Sequence, residues 1–156
     1  MVPRIPRFSL LAVLALVAFS QPSLAQDAEG ALAGLNALYA GHVRFSLSGP
    51  DRLQVEFRDA KGLSRVDLIV LDELDPERIA YSLEEDAVVL ACREPGARCI
   101  QSECFTQNTV RRTARTTLPR ALDDNGAAQA MDALRLIIGA GLEHLAETRS
   151  TFGRKN

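Results

Sequence analysis

The chain is 156 residues long and carries eighteen basic side chains against twenty acids, a formal net charge of −2. That length is one domain's worth of chain, enough to bury a real core. The mildly acidic balance disfavours nucleic acid, which needs a net basic face.

The chain opens with Arg4 and Arg7, then an apolar run over residues 8–19 broken only by Ser9. A polar stretch at 20–23 follows, and Ser23 and Ala25 put small residues at the two positions a signal peptidase reads. Charge, apolar core and small-residue site in that order are the signature of a secretory signal. Residues 1–25 are therefore expected to be cleaved, with 26–149 as a single domain and 150–156 as a flexible tail. The apolar run is twelve residues, whereas about 20 are needed to span a bilayer. Gln26, not Cys, stands directly after the cleavage point, so no lipid attachment is expected there, and no later segment is apolar enough to span. The expected destination is the periplasm, for a bacterial source, or the medium. Without residues 1–25 the chain is 131 residues, and losing Arg4 and Arg7 takes its charge to −4.

Residues 27–40 read as a short helix. Asp27 is a candidate cap, and Leu32, Leu35 and Tyr39 fall at helical spacing. Gly30 and Gly34 weaken it, so it needs a surface to lie on. The period then changes to two. Val43, Phe45 and Leu47 form one alternating run, Leu53, Val55 and Phe57 a second, and Val66, Leu68 and Val70 a third. Short Gly-bearing turns separate them, which predicts an antiparallel meander with one apolar face. Pro76 breaks the pattern, because proline is excluded from a central strand. Ile79, Tyr81 and Leu83 make a fourth run, and Val88, Leu90 and Cys92 a fifth. Residues 99–105 make a sixth and 111–118 a seventh, rich in Thr and Arg.

Cys92 and Cys99 flank a segment containing Pro95 and Gly96, a turn signal. If their flanks are paired strands, the two face each other across a hairpin and close a disulfide in an oxidising compartment. Cys99–Cys104 is the rival pairing. A metal is a poor alternative, since the only His residues, His42 and His144, are far away in sequence. Cys104 is then left over, either as a small buried residue or as an intermolecular disulfide partner.

The last segment is helical again. Asp123, Asp124 and Asn125 offer N-caps, and Ala130, Leu134, Ile137, Ile138, Leu142 and Leu145 form a broad stripe. Twenty residues to about Glu147 give a helix about 30 Å long. Gly139 and Gly141 cost stability inside it unless a neighbour packs close.

The predicted class is α+β: a curved seven-stranded antiparallel sheet or partly open barrel, capped by the long C-terminal helix, with a short N-terminal helix. A flatter sandwich is the alternative. Strands followed by one terminal helix, over about residues 43–145, resemble the pleckstrin-homology-like superfamily. The resemblance implies a binding module rather than an enzyme. Some such domains bind phosphoinositides through basic residues around the first two strands, where this chain offers Arg44 and Arg52 but not the basic cluster such domains use.

No catalytic constellation stands out. His42 and His144 lie outside any nucleophile motif, and Gly139–Gly141 lies within a helix rather than after a strand. Asp72, Glu73, Asp75 and Glu77 lack the spacing of a calcium loop. Sugar platforms need aromatics, and the chain has no Trp and two Tyr. The remaining cluster is basic: Arg111, Arg112 and Arg115, with Arg120, Arg93 and Arg98 as possible neighbours. Arg forks match carboxylates and phosphates. On a soluble strand they also guard an edge against aggregation. The leading expectation is an exported binding or interaction module without catalysis or cofactor. Its ligand is a protein, a peptide or an anion, held by Arg111, Arg112 and Arg115 or by a groove beside the last helix. The alternatives are a small enzyme with an unrecognised carboxylate or cysteine site, and a structural subunit.

Overall fold

The computed structural model describes residues 24–121 and 125–153. Most of the expected signal segment lies outside them, as do the candidate caps Asp123 and Asp124. The architecture is α+β. Helix α1 is Leu24–Tyr39, followed by β1 (Val43–Leu47), β2 (Arg52–Asp59), β3 (Gly62–Val70), β4 (Ala80–Ser82) and β5 (Ala87–Ala91). Then come β6 (Ile100–Cys104), β7 (Thr109–Thr113), β8 (Arg115–Pro119) and helix α2 (Gly126–Gly153). Asp27 lies inside the first turn of α1, where its charge complements the helix dipole, so it is not the cap.

Among the described residues the strands number eight and form two antiparallel sheets, ordered β1-β2-β3-β6-β7 and β4-β5-β8. This corrects the expected single sheet of seven strands or partly open barrel. The seventh run divides at Ala114: β7 ends one sheet and β8 ends the other. The carbonyl of Ala114 accepts the N–H of Cys92 at 2.9 Å, which holds the crossing point. Thr and Arg populate both halves of that run, so no change in apolar period marks the break.

One buried cluster draws on both helices and both sheets. Helix α1 contributes Leu35 and Tyr39, and α2 contributes Ala130, Leu134, Ile137 and Ile138. Phe45, Leu53, Val55, Ile69 and Ile100 come from the larger sheet, and Val88, Leu90 and Leu118 from the smaller. The Tyr39 and Phe45 rings meet at 5.3 Å between centroids. Burial pushes the Tyr39 hydroxyl up to about 12. Helix α2 continues past Glu147 to Gly153. At Gly141 an added Cβ would lie 3.0 Å from Leu71 Cδ1 and 3.2 Å from its Cβ, so the close approach of the Leu71–Glu73 turn favours glycine there. Gly139 has no such neighbour among the described residues. No helix among the described residues is long and apolar enough to cross a membrane.

The third strand corrects the expected face. Val66, Leu68 and Val70 are only half-buried, while Asp67 and Ile69 are fully buried. Side chains alternate across a sheet, so reading the wrong set inverts the strand. The inner row is Arg65, Asp67 and Ile69, in register with Cys104, Ser102 and Ile100 of β6.

Cys92 and Cys99 are joined, with Cα atoms 5.8 Å apart. Their flanking strands are not a hairpin: β5 pairs with β4 and β8, and β6 with β3 and β7. The disulfide therefore ties the smaller sheet to the larger where the chain crosses between them. Closing so short a loop stabilises the fold by about 2–3 kcal/mol in the chain-entropy model. The Cys92→Ser/Cys99→Ser double variant is expected to lose about that much in urea unfolding, with a slope equal to or steeper than the parent's because the unfolded chain is freed to expand. A change below 0.5 kcal/mol would show that other contacts hold the crossing.

Candidate functional site

The sheets meet around a buried carboxylate. Asp67 is 0% exposed. Ser102 Oγ donates to its Oδ1 at 2.7 Å and Thr116 Oγ1 to its Oδ2 at 2.5 Å. Ser102 stands on β6 and Thr116 on β8, so one side chain bridges both sheets. Arg65 supplies the countercharge, with Nε 3.3 Å from Oδ1. That Nε–H is not aligned for a hydrogen bond, so the contact is ionic. The Arg65 Nη2 instead donates to the Thr117 carbonyl at 3.2 Å and to Thr116 Oγ1 at 3.4 Å. Its guanidinium also lies 3.7 Å from the centre of the Phe57 ring.

A cleft of about 270 Å³ opens beside this bridge, between β8 and the inner face of β6 and β7. Arg65, Arg111 and Arg115 all line it, together with Thr113 and Thr116. The structure thus brings together two of the three predicted arginines. Arg111 lies opposite buried Ser102, on the cleft side of β7. Arg112 lies opposite exposed Gln101, so strand alternation turns it to the other face. Arg115 is already engaged, since its Nη2 donates to both carboxylate oxygens of Glu85 at 2.6 and 2.8 Å. Both partners are well exposed, and such a surface pair is worth about 0–1 kcal/mol. Arg111 has no ion pair or hydrogen bond among the described residues, and the buried Thr113 hydroxyl has no partner there either. Arg93 is drawn away to the Leu74 carbonyl, at 3.2 Å. Arg120 lines a separate cavity of about 240 Å³ with His42, Tyr39 and Arg58.

Sequence reasoning missed Arg65, Asp67 and Glu85. Arg65 and Asp67 alternate with Val66 and Leu68, and the apolar pair drew the inward assignment. Nothing local marks Glu85, which meets Arg115 from thirty residues away.

Cys104 is the free thiol, on the rim of an adjoining cavity that shares Arg65, Glu85 and Thr117 with the cleft. The Thr106 hydroxyl, 3.3 Å away, holds this thiol below its ordinary value, helped by the N–H groups of Gln107 and Thr106 and by the charge of Arg111. His144 lines a further cavity, of about 480 Å³, between α1 and α2, with Glu29, Glu143 and Leu71. The two histidines therefore line different cavities. Asp75 Oδ1 accepts the Glu77 N–H at 3.0 Å, capping a short turn at Pro76–Arg78. Among the described residues no group of three His, Cys, Asp or Glu is placed to hold a metal ion. Compared with protein families, curated proteins and solved structures, the chain matches none.

Two outcomes follow from this geometry. Asp67→Ala removes the acceptor for two buried hydroxyls and strands Arg65, so it is expected to cost about 3–5 kcal/mol in urea unfolding. Asp67→Asn keeps an acceptor oxygen and should cost less; an equal loss would point to charge alone as the stabilising element. For Cys104, a lowered thiol forms thiolate at lower pH. Its alkylation by iodoacetamide should reach half-rate below the ordinary thiol range, and Thr106→Val should move that midpoint upward. A midpoint unmoved by the substitution would assign the effect to the backbone N–H groups or Arg111.

Proposed function

We propose that the protein is an exported, non-catalytic binding module whose ligand presents a carboxylate or phosphate to the cleft beside Asp67. The observation that carries this reading is the pairing of Arg111 with Thr113 on one face of β7. The first is a cation without an ion-pair partner and the second a buried hydroxyl without a hydrogen-bond partner, among the described residues. Leaving a buried polar atom unpaired costs free energy, so an anion held by Arg111 would favour a turn of the Thr113 side chain that brings its hydroxyl to the ligand. Arg65 and Arg115 flank the position and add field rather than a second unpaired fork. Glu85 occupies Arg115 only weakly and is displaceable.

Export is the least structural part of the proposal. Its support is the basic, apolar and small-residue order of residues 1–25. The disulfide is compatible with an oxidising compartment without being evidence of one. The likeness to pleckstrin-homology-like domains is part of the same proposal and rests on element order alone.

Titration with inorganic phosphate and with glutarate, followed by backbone amide shifts, tests the cleft. Saturable shifts are expected at residues 111–117. Arg111→Ala is expected to weaken binding about tenfold or more, the loss of one charge-assisted hydrogen bond. Arg112→Ala, on the opposite face, should leave binding within about twofold. Equal weakening by the two variants would overturn the cleft and leave only a diffuse charge effect.

A further inference from the structure

We infer that the anionic group is carried by an extended acidic peptide, which adds to the free edge of β7 as a sixth strand of the larger sheet. This rests on the anion site proposed above and names the form of its partner.

The two sheets have four edges: β1, β7, β4 and β8. Three are obstructed. At β1 the Asn36 side chain from α1 acts as a neighbouring strand, accepting the Phe45 N–H at 2.8 Å and donating to the Phe45 carbonyl at 2.9 Å. At β8 the Arg65 guanidinium takes the Thr117 carbonyl. Strand β4 has only three residues, and Arg135 of α2 donates to the carbonyls of Pro76 and Ile79 just before it, at 3.4 and 3.2 Å. Strand β7 has no such device among the described residues. Residues 109–112 are all exposed, and among the described residues their backbone bonds only to β6. In an antiparallel ladder alternate residues turn N–H and C=O away from the neighbour, so β7 presents an open row of donors and acceptors.

Charge selects what fits that row. An added strand places alternate side chains on the cleft face beside Arg111 and the rest on the face of Arg112 and Val110, the latter 62% exposed. Directly opposed unlike charges favour pairing and like charges oppose it. A second copy of β7 would set arginine against arginine, so the occupant is a different, acidic segment. Five residues of β7 fit a segment about 17 Å long. A free phosphate fills the cleft but cannot use the strand edge, which separates the two sources of the anion.

The test uses the purified protein and a blocked hexapeptide alternating glutamate with threonine. Two isomers of it are N-methylated, one on every glutamate amide and the other on every threonine amide. The parent peptide should slow hydrogen exchange at outward-facing amides of residues 109–112. One isomer should lose about tenfold in affinity while the other holds, since only one set of amides faces β7. Arg111→Ala should weaken the parent peptide and inorganic phosphate alike. If both isomers bind as the parent does, the strand inference is overturned while the anion site stands. The same holds if phosphate binds and no peptide does. Should neither probe respond to Arg111→Ala, both readings fall. Aggregation of an Arg111→Ala/Arg112→Ala variant, with no peptide bound by the parent protein, would mark the arginines as edge guards and also overturn the inference.

Discussion

A single buried carboxylate sets the relation between the two sheets. Taking an ionised Asp out of water costs several kcal/mol unless its oxygens are bonded and its charge is matched. Asp67 meets both conditions only when β3, β6 and β8 come together, because Ser102 lies on one sheet and Thr116 on the other. The same requirement fixes Arg65. Its guanidinium is held by the carboxylate, the Phe57 ring and the β8 backbone at once, so it enters the cleft already oriented. A flexible surface arginine would lose side-chain entropy on binding an anion; this one has lost it on folding.

The disulfide acts on the same juncture from the other side. The Asp67 bridge joins the sheets through side chains, whereas Cys92–Cys99 limits how far the chain can stray as it leaves β5 for β6. The carboxylate network also specifies register. A one-residue slip of β3 would place Val66 or Leu68 among the hydroxyls and expose Asp67, losing every bond the carboxylate makes. The cleft arginines depend on that register, since Arg111 faces Ser102 only while β6 and β7 keep their pairing.

How far the sequence revealed this depended on whether chemistry and periodicity agreed. They agree in β1, β2 and α2, where Phe45, Val55, Leu134 and Ile138 announce their buried faces. They conflict in β3, where the inward row is Arg65, Asp67 and Ile69 and the outward row is more apolar. A charge is buried there because partners distant in sequence satisfy it, and no local pattern encodes those partners. The division of residues 109–119 between sheets was hidden for a related reason. Thr and Arg populate both β7 and β8, and the break falls at Ala114, whose carbonyl accepts the Cys92 N–H. The disulfide pair was legible from spacing and a Pro-Gly turn, although its setting is a crossing between sheets. Of the arginines, Arg111 and Arg115 were found by composition, and only strand alternation separates them from Arg112.

The last element of the cleft is its internal competitor. Glu85 offers Arg115 a bidentate carboxylate, the same chemistry the proposed ligand would bring. A site built from three arginines without it would bind any passing anion through field alone. With Glu85 in place, the local charge of three guanidiniums is reduced by two carboxylates, Glu85 and Asp67, to a single excess cation. Among the described residues that excess resides at Arg111, beside a hydroxyl without a partner and an open strand edge. Selection then falls on geometry more than on charge. A ligand gains most when its anion, its hydrogen-bond acceptors for Thr113 and its backbone arrive in one arrangement, and an extended acidic chain supplies all three.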